Sequence, residues 1–263
     1  MQLSSDELSA MEQSIPRHIF QTWETKNNLH PDMQKAINRF QRWNPGYQYS
    51  LYDDQDRRNF IKENFPTEVL DAYDVLVPGA FRADLWRLCV ILRLGGWYAD
   101  IKYFPRRGFD SLEPGGGQTR GLVVCLTTLG GTLIHNGFFG APAGHPWVGR
   151  SLQACLENIK MRAYGKNSLS VTGPVVVRRV FRKIYGPEAL GVGDHTYGKM
   201  LFRRGSNIYV MKEDGTREPL LSRFRSYYGQ RMSHQPGLGH DELWKRKMVY
   251  RDVLPETSST PNS

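Results

Sequence analysis

The charges on one otherwise apolar stretch are the first chemistry this chain offers. From Phe81 to Leu94 the positions Phe81, Leu85, Trp86, Leu88, Cys89, Ile91, Leu92 and Leu94 cover nearly the whole circumference of a helix, which predicts a buried one. Arg82, Asp84 and Arg87 interrupt it near its beginning, and Asp84 and Arg87, three apart, share a face. A buried helix keeps charges only where they pair or face a polar cavity. A structural Asp84–Arg87 ion pair and a ligand-binding pair both satisfy that condition. Gly95 suits a left-handed cap, and the chain then reads as a strand from Trp97 to Phe104 carrying Asp100 and Lys102. Strand alternation puts those two side chains on one face, where they either pair with each other or act together on a ligand.

The elements around this stretch alternate between strands and helices, which predicts an α/β fold with a mostly parallel central sheet flanked by helices. Ile19 to Trp23 reads as a first strand, and Pro31-Asp32 opens a helix in which Met33, Ile37, Phe40 and Trp43 follow helical spacing. Tyr47 to Tyr52 alternates as a second strand. Asp54 can cap a helix to Phe65, and Pro66 can open another to Leu76. Leu122 to Leu126 is a further strand, Pro146 to Arg162 a long helix, and Asn207 to Leu221 a hairpin turning at Asp214-Gly215. Residues 1–14 read as a polar extension, residues 15–254 as one domain, and the Ser/Thr/Pro-rich residues 255–263 as a disordered tail.

Composition narrows the class. At 263 residues the chain can bury a sizeable core. No apolar run reaches the roughly 18 uncharged residues of a membrane span, and the acidic N-terminus reads as neither signal peptide nor anchor. Cys89, Cys125 and Cys155 are an odd number set in apolar runs, which suits reduced core thiols and a cytoplasmic protein. An excess of 35 basic over 26 acidic residues gives +9, much of it in the second half at Arg178-Arg179, Arg182-Lys183, Arg203-Arg204 and Lys245-Arg246-Lys247. That balance suits an ordinary solvated surface, a phosphate-bearing substrate or peripheral association with an anionic membrane. No RNA-binding aromatic motif or zinc-finger spacing accompanies it, so nucleic acid is not the expected partner.

The run Gly-Gly-Trp-Tyr-Ala-Asp-Ile-Lys from Gly95 to Lys102 resembles the Gly-Gly-x-Tyr-x-Asp-x-Asp motif of the family 32 glycosyltransferases, which have a DXD sugar-binding region and include initiating α-1,6-mannosyltransferases and bacterial capsular enzymes. Four further blocks resemble that family in the same order. They are Ile15 to Trp23, Trp43 to Asp54 with its asparagine-proline and paired aspartates, Asn136 to Pro146, and Thr172-Gly-Pro174.

The resemblance implies a GT-A type of fold, a UDP- or GDP-sugar donor, a glycan or lipid-linked acceptor, and transfer with retention in surface polysaccharide or glycoconjugate synthesis. It implies roles for Thr22 and Trp23 at the nucleotide base, for Asp84 and Arg87 on ribose or sugar hydroxyls, for Tyr98 on the nucleotide, for Asp100 on the sugar and for Asn136 at the transfer site. Each has a plain competitor: Trp23 as core, Tyr98 as strand packing, Asn136-Gly137 as a turn. In that family the second Asp of the motif ligates manganese or magnesium. Lys102 stands at that position here, and an ammonium cannot ligate a cation. One carboxylate with one divalent ion sums to about +1, the charge of a lysine side chain, so Asp100 and Lys102 could serve catalysis without a metal. The other readings are a catalytically silent sugar-nucleotide-binding relic, a simple salt bridge, and a metal held by Asp100 with a distant partner such as His234. His234 and His240 lie in a segment that resembles only loosely the part of the family that closes over the donor.

Overall fold

The computed structural model describes residues 4–113, 117–127, 133–212, 214–226 and 239–251. The first half runs α1 (Ser5–Glu12), β1 (His18–Thr22), α2 (Pro31–Trp43), β2 (Gln48–Tyr52), α3 (Asp54–Asn64), α4 (Thr67–Val75), α5 (Gly79–Leu94), β3 (Gly96–Ala99) and β4 (Tyr103–Pro105). The second runs β5 (Leu122–Leu126), β6 (Phe138–Ala141), α6 (Pro146–Lys160), α7 (Pro174–Tyr185), β7 (Gly193–His195), β8 (Gly198–Arg204), β9 (Asn207–Met211), β10 (Arg217–Arg223) and α8 (His240–Lys245). Among the described residues the strands form one sheet in the order β2-β1-β3-β6-β5-β8-β9-β10-β4, with β7 paired to β8.

That sheet is mixed, which corrects the mostly parallel expectation. Parallel pairing joins β1 to β2, β1 to β3 and β5 to β8. The remaining pairings are antiparallel. The strand and helix alternation that suggests parallel strands governs only the first part of the chain. Strands β8, β9 and β10 follow one another through short turns, a connection that allows only antiparallel neighbours.

The elements near the site form for local reasons. Asp53, not Asp54, caps α3: its side chain accepts from the Asp56 amide while Asp56 accepts from the Asp53 amide. Helix α1 forms within the stretch read as an extension, with Ser4 and Glu7 capping each other and Glu7 also holding Arg150 at 2.8 Å. Helix α5 is buried through Phe81, Leu85, Trp86, Leu88, Cys89, Val90 and Ile91 and packs against α3, α4, α6 and β3. Gly95 and Gly96 carry φ of 64° and 103°, and a Cβ on Gly96 would stand 2.6 Å from the His18 carbonyl oxygen. Both the conformation and the close approach of β1 therefore demand glycine there. All three cysteines are buried and free. Among the described residues no helix is long and apolar enough to cross a membrane.

Arg57 ties the first strand to the helices above it. Its fully buried guanidinium donates to Tyr73 Oη at 3.0 Å, Thr22 Oγ1 at 2.9 Å and Asp54 Oδ1 at 2.8 Å, with Glu24 at 3.5 Å. Arg57→Met keeps the volume but strands two carboxylates and two hydroxyls. We expect urea denaturation to show a loss of about 3 kcal/mol, the lower range for breaking a buried ion pair, because Asp54 is partly exposed. A loss below ~1 kcal/mol would contradict that role.

Candidate active site

The carboxyl ends of the parallel strands β1 and β3 lie side by side, and the start of β6 pairs antiparallel with β3, so three chain segments open onto one edge of the sheet. Ligands of open α/β sheets bind at such strand ends. A cleft of about 610 Å³ lies there. Thr22, Trp23, Asp84 and Arg87 line it, as do Tyr98, Asp100, Lys102 and Asn136, so all the described residues singled out from sequence come together. His234 lies outside the described residues.

Asp100 sits where β3 ends. The single strand expected over Trp97–Phe104 is in fact β3 and β4 separated by a turn, closed by the Tyr103 amide donating to the Asp100 carbonyl at 3.1 Å. Asp100 and Lys102 therefore meet through a turn and not through strand alternation. Lys102 Nζ is 2.5 Å from Asp100 Oδ2, Tyr98 Oη donates to Oδ1 at 2.8 Å, and Arg87 Nη2 lies 3.5 Å from Oδ1. Buried Gln21 fixes the same turn by donating to the carbonyls of Ala99 and Asp100, both at 3.2 Å.

The charged pair on α5 forms the ion pair that its spacing allows, Arg87 to Asp84 at 3.1 Å, and also faces the cleft. Asp84 further accepts from Asn136 Nδ2 at 2.9 Å and Thr172 Oγ1 at 3.0 Å, while Arg87 Nη1 donates to the Asn136 carbonyl at 2.6 Å. The guanidinium lies over the Tyr98 ring at 4.4 Å. The α5 pair thus holds the loop before β6 and faces Asp100 at once.

Neighbouring charges set the two buried carboxylates apart electrically. Burial pushes Asp84 up to about 6, and Asp100 nearby adds to the shift, while Arg87, Thr172 and Asn136 oppose it. Burial would raise Asp100 too, but the Lys102 and Arg87 charges outweigh it and hold that carboxyl well below the usual carboxylate range. His135, beside Asp100, is pushed well below the ordinary histidine value by burial and by Lys102, so its ring is neutral at physiological pH. Its Nε2 is 2.7 Å from Tyr103 Oη.

Gly137 is required at this spot by space alone. A Cβ there would stand 2.4 Å from Asp100 Oδ2 and 2.8 Å from the His135 ring. Gly137→Ala should therefore displace Asp100 and, if the cleft takes the nucleotide-sugar donor that the resemblance implies, lower its affinity by about tenfold or more with little change in thermal midpoint. Unchanged donor affinity, measured by calorimetric titration, would show that the position of Asp100 does not matter to binding.

The described residues do not fit a divalent cation. Both oxygens of Asp100 already accept from an ammonium or a phenol, and two cations face this carboxylate where a metal would need further oxygen ligands. Among the described residues no three His, Cys, Asp or Glu side chains cluster as a ligand set.

Several cleft residues escaped the sequence reading. His135 directly precedes the Asn136 block, and a lone histidine reads as structural. Arg203 looked like part of a solvated basic run, yet it lines the cleft while Arg204 is exposed. The period-2 alternation of β8 was the available signal. Trp23 lines the cleft with most of its surface packed against Met33, Ala36, Ile101 and Phe224. The Thr22 hydroxyl is engaged, donating to the Tyr52 carbonyl at 2.7 Å and accepting from Arg57. His240 also lines the cleft.

Residues 30–116 match the glycosyltransferase sugar-binding region containing DXD motif. The chain's relatives include inositol phosphoceramide mannosyltransferase 2 of Schizosaccharomyces pombe, 29% identical over 174 residues that cover 64% of this chain and 47% of the relative. Mannosyl phosphorylinositol ceramide synthase CSH1 of Saccharomyces cerevisiae is 25% identical, covering 65% and 43%. An uncharacterized glycosyltransferase, L373, of Acanthamoeba polyphaga mimivirus is 30% identical, covering 50% and 52%. The chain spans about half the length of these curated relatives, or less. Among solved structures, the PaToxG glycosyltransferase has a similar fold, with a TM-score of 0.53 at 18% identity over 68% of this chain and 73% of that one.

Proposed function

We propose that residues 15–254 act as one GT-A type domain that transfers a sugar from a nucleotide-sugar donor to a glycan or lipid-linked acceptor, with retention at the anomeric carbon. The observation that carries this reading is the Asp100–Lys102 pair at the end of β3, set against Arg87 in the same cleft. In the reaction the bond from the anomeric carbon to the terminal phosphate oxygen breaks, and the acceptor oxygen forms the new bond. The acceptor proton leaves with the diphosphate. Negative charge grows on the departing diphosphate, so fixed positive charge beside it lowers the barrier. Lys102 is the residue we assign to that charge, with Asp100 and Asp84 on sugar or ribose hydroxyls, Asn136 beside them and Trp23 at the base. The names of the relatives, which act on inositol phosphoceramide, support a lipid-linked acceptor bearing a mannosyl product.

A panel of UDP- and GDP-sugars, screened by thermal shift in the presence of a chelator, tests the donor half of this reading, since a ligand that binds only the folded state raises its stability. We expect one nucleotide class to raise the midpoint and then to release nucleoside diphosphate. The lysine at the second acidic position also supports a second reading, a catalytically silent donor-binding protein. Tight donor binding without diphosphate release, whatever acceptor is offered, would favour it.

A further inference from the structure

Two segments lie against each other on one rim of the cleft: the end of α6 with the residues to Lys166, and α8 with the residues to Arg251. Arg162 donates to the Arg251 carbonyl at 2.8 Å, Tyr250 Oη to the Ala163 carbonyl at 2.7 Å, and Trp244 Nε1 to the Tyr164 carbonyl at 2.7 Å. Lys247 Nζ sits 4.2 Å from the Tyr164 ring centre. Ser168 donates to the Asp241 carboxylate, and both of these residues line the cleft.

The joint surface is predominantly basic. Lys160, Arg162, Lys166, Lys245, Lys247 and Arg251 are all exposed. No carboxylate lies within ion-pair distance of any of them among the described residues, and the nearby Glu242 is engaged by Arg246. Some basic side chains elsewhere find acids, as in Arg17–Asp110, Arg58–Asp74 and Arg150–Glu7. Exposed Arg42, Lys62 and Arg179 have no ion-pair partner among the described residues, so it is the exposed methionines that set this face apart. On the same two segments Met161 is 81% exposed and Met248 49%. Flexible apolar tips beside unpaired lysine and arginine make a surface suited to the phosphate layer and upper acyl region of a bilayer.

We propose that this rim docks onto an anionic membrane, with the cations at lipid phosphates and Met161 and Met248 entering the interface. Docking there sets the cleft mouth beside the headgroup layer, where a lipid-linked acceptor would enter. It goes beyond the donor reading and stands independently of it.

Co-sedimentation of the full chain with vesicles tests it, using phosphatidylcholine alone or mixed with phosphatidylserine, at low and high salt. We expect binding only to the anionic vesicles, lost at high salt as screening removes the attraction. Each basic residue near an anionic leaflet strengthens partition by about fivefold, so Lys160→Glu/Lys166→Glu/Lys245→Glu should weaken it at least a hundredfold. Met161→Asp/Met248→Asp should weaken it several-fold. These side chains are exposed, so thermal midpoint and donor-induced thermal shift should stay at wild-type values in both variants, which separates failure of docking from failure of donor binding. Equal binding to neutral vesicles, or wild-type partition in either variant, would overturn the proposal.

Discussion

Lys102→Ala should lower sugar transfer, or slow donor hydrolysis, by about 10²–10³, the loss found when one preorganised donor to a developing negative charge is removed. Lys102 sits in a turn and is 18% exposed, so the fold should survive. Its removal takes the ammonium from Asp100, which keeps Arg87 at 3.5 Å and Tyr98 at 2.8 Å among its described partners. Lys102→Asp is the sharper variant. It places a second carboxylate two residues after Asp100 and makes oxygen ligands available to a hard divalent cation, so activity should return only with manganese or magnesium. If Lys102→Ala keeps wild-type rates, the ammonium has no part in the reaction.

Asp84→Asn should weaken donor binding by roughly ten- to a hundredfold, since a hydrogen bond to a charged acceptor is worth ~1.5–3 kcal/mol. Asp84 already accepts from Asn136, Thr172 and Arg87, so the change also loosens the loop before β6. Its pH dependence separates this site from a plain ion pair. The folded carboxyl titrates near 6, above its ordinary 3.8, so its proton is held more tightly in the folded chain. The stability this contributes is complete below about pH 4 and is lost as pH rises through about 6, a change of at most ~3 kcal/mol. Wild-type stability minus that of Asp84→Asn, which does not titrate there, should therefore fall across this window. The wild-type advantage in donor affinity should grow across it, as the carboxylate ionises. A flat stability difference, or unchanged donor affinity in the variant, would contradict this assignment.

What sequence made legible was local. The all-round apolar pattern of α5, the cap at Gly95 and the charges at Asp84, Arg87 and Asp100 follow from neighbours a few residues away. The mixed strand order does not, because β5 pairs with β8 across more than seventy residues and β10 reaches back to β4. The split of Trp97–Phe104 into two strands hid for a related reason. The apolar residues continue through it, and only the β10 partner of β4 reveals the turn. Gln21 escaped because one polar residue in a strand reads as its solvent face, whereas here it is buried and holds the backbone that carries Asp100.

A donor site that carries its own cation, with no metal needed to bind the diphosphate, is the central claim. Calorimetric titration of the best nucleotide sugar into the wild-type chain, once with a strong chelator and once with excess manganese, tests it directly. We expect the same dissociation constant, within a factor of about two, under both conditions. Binding seen only with manganese, and abolished by the chelator, would contradict it.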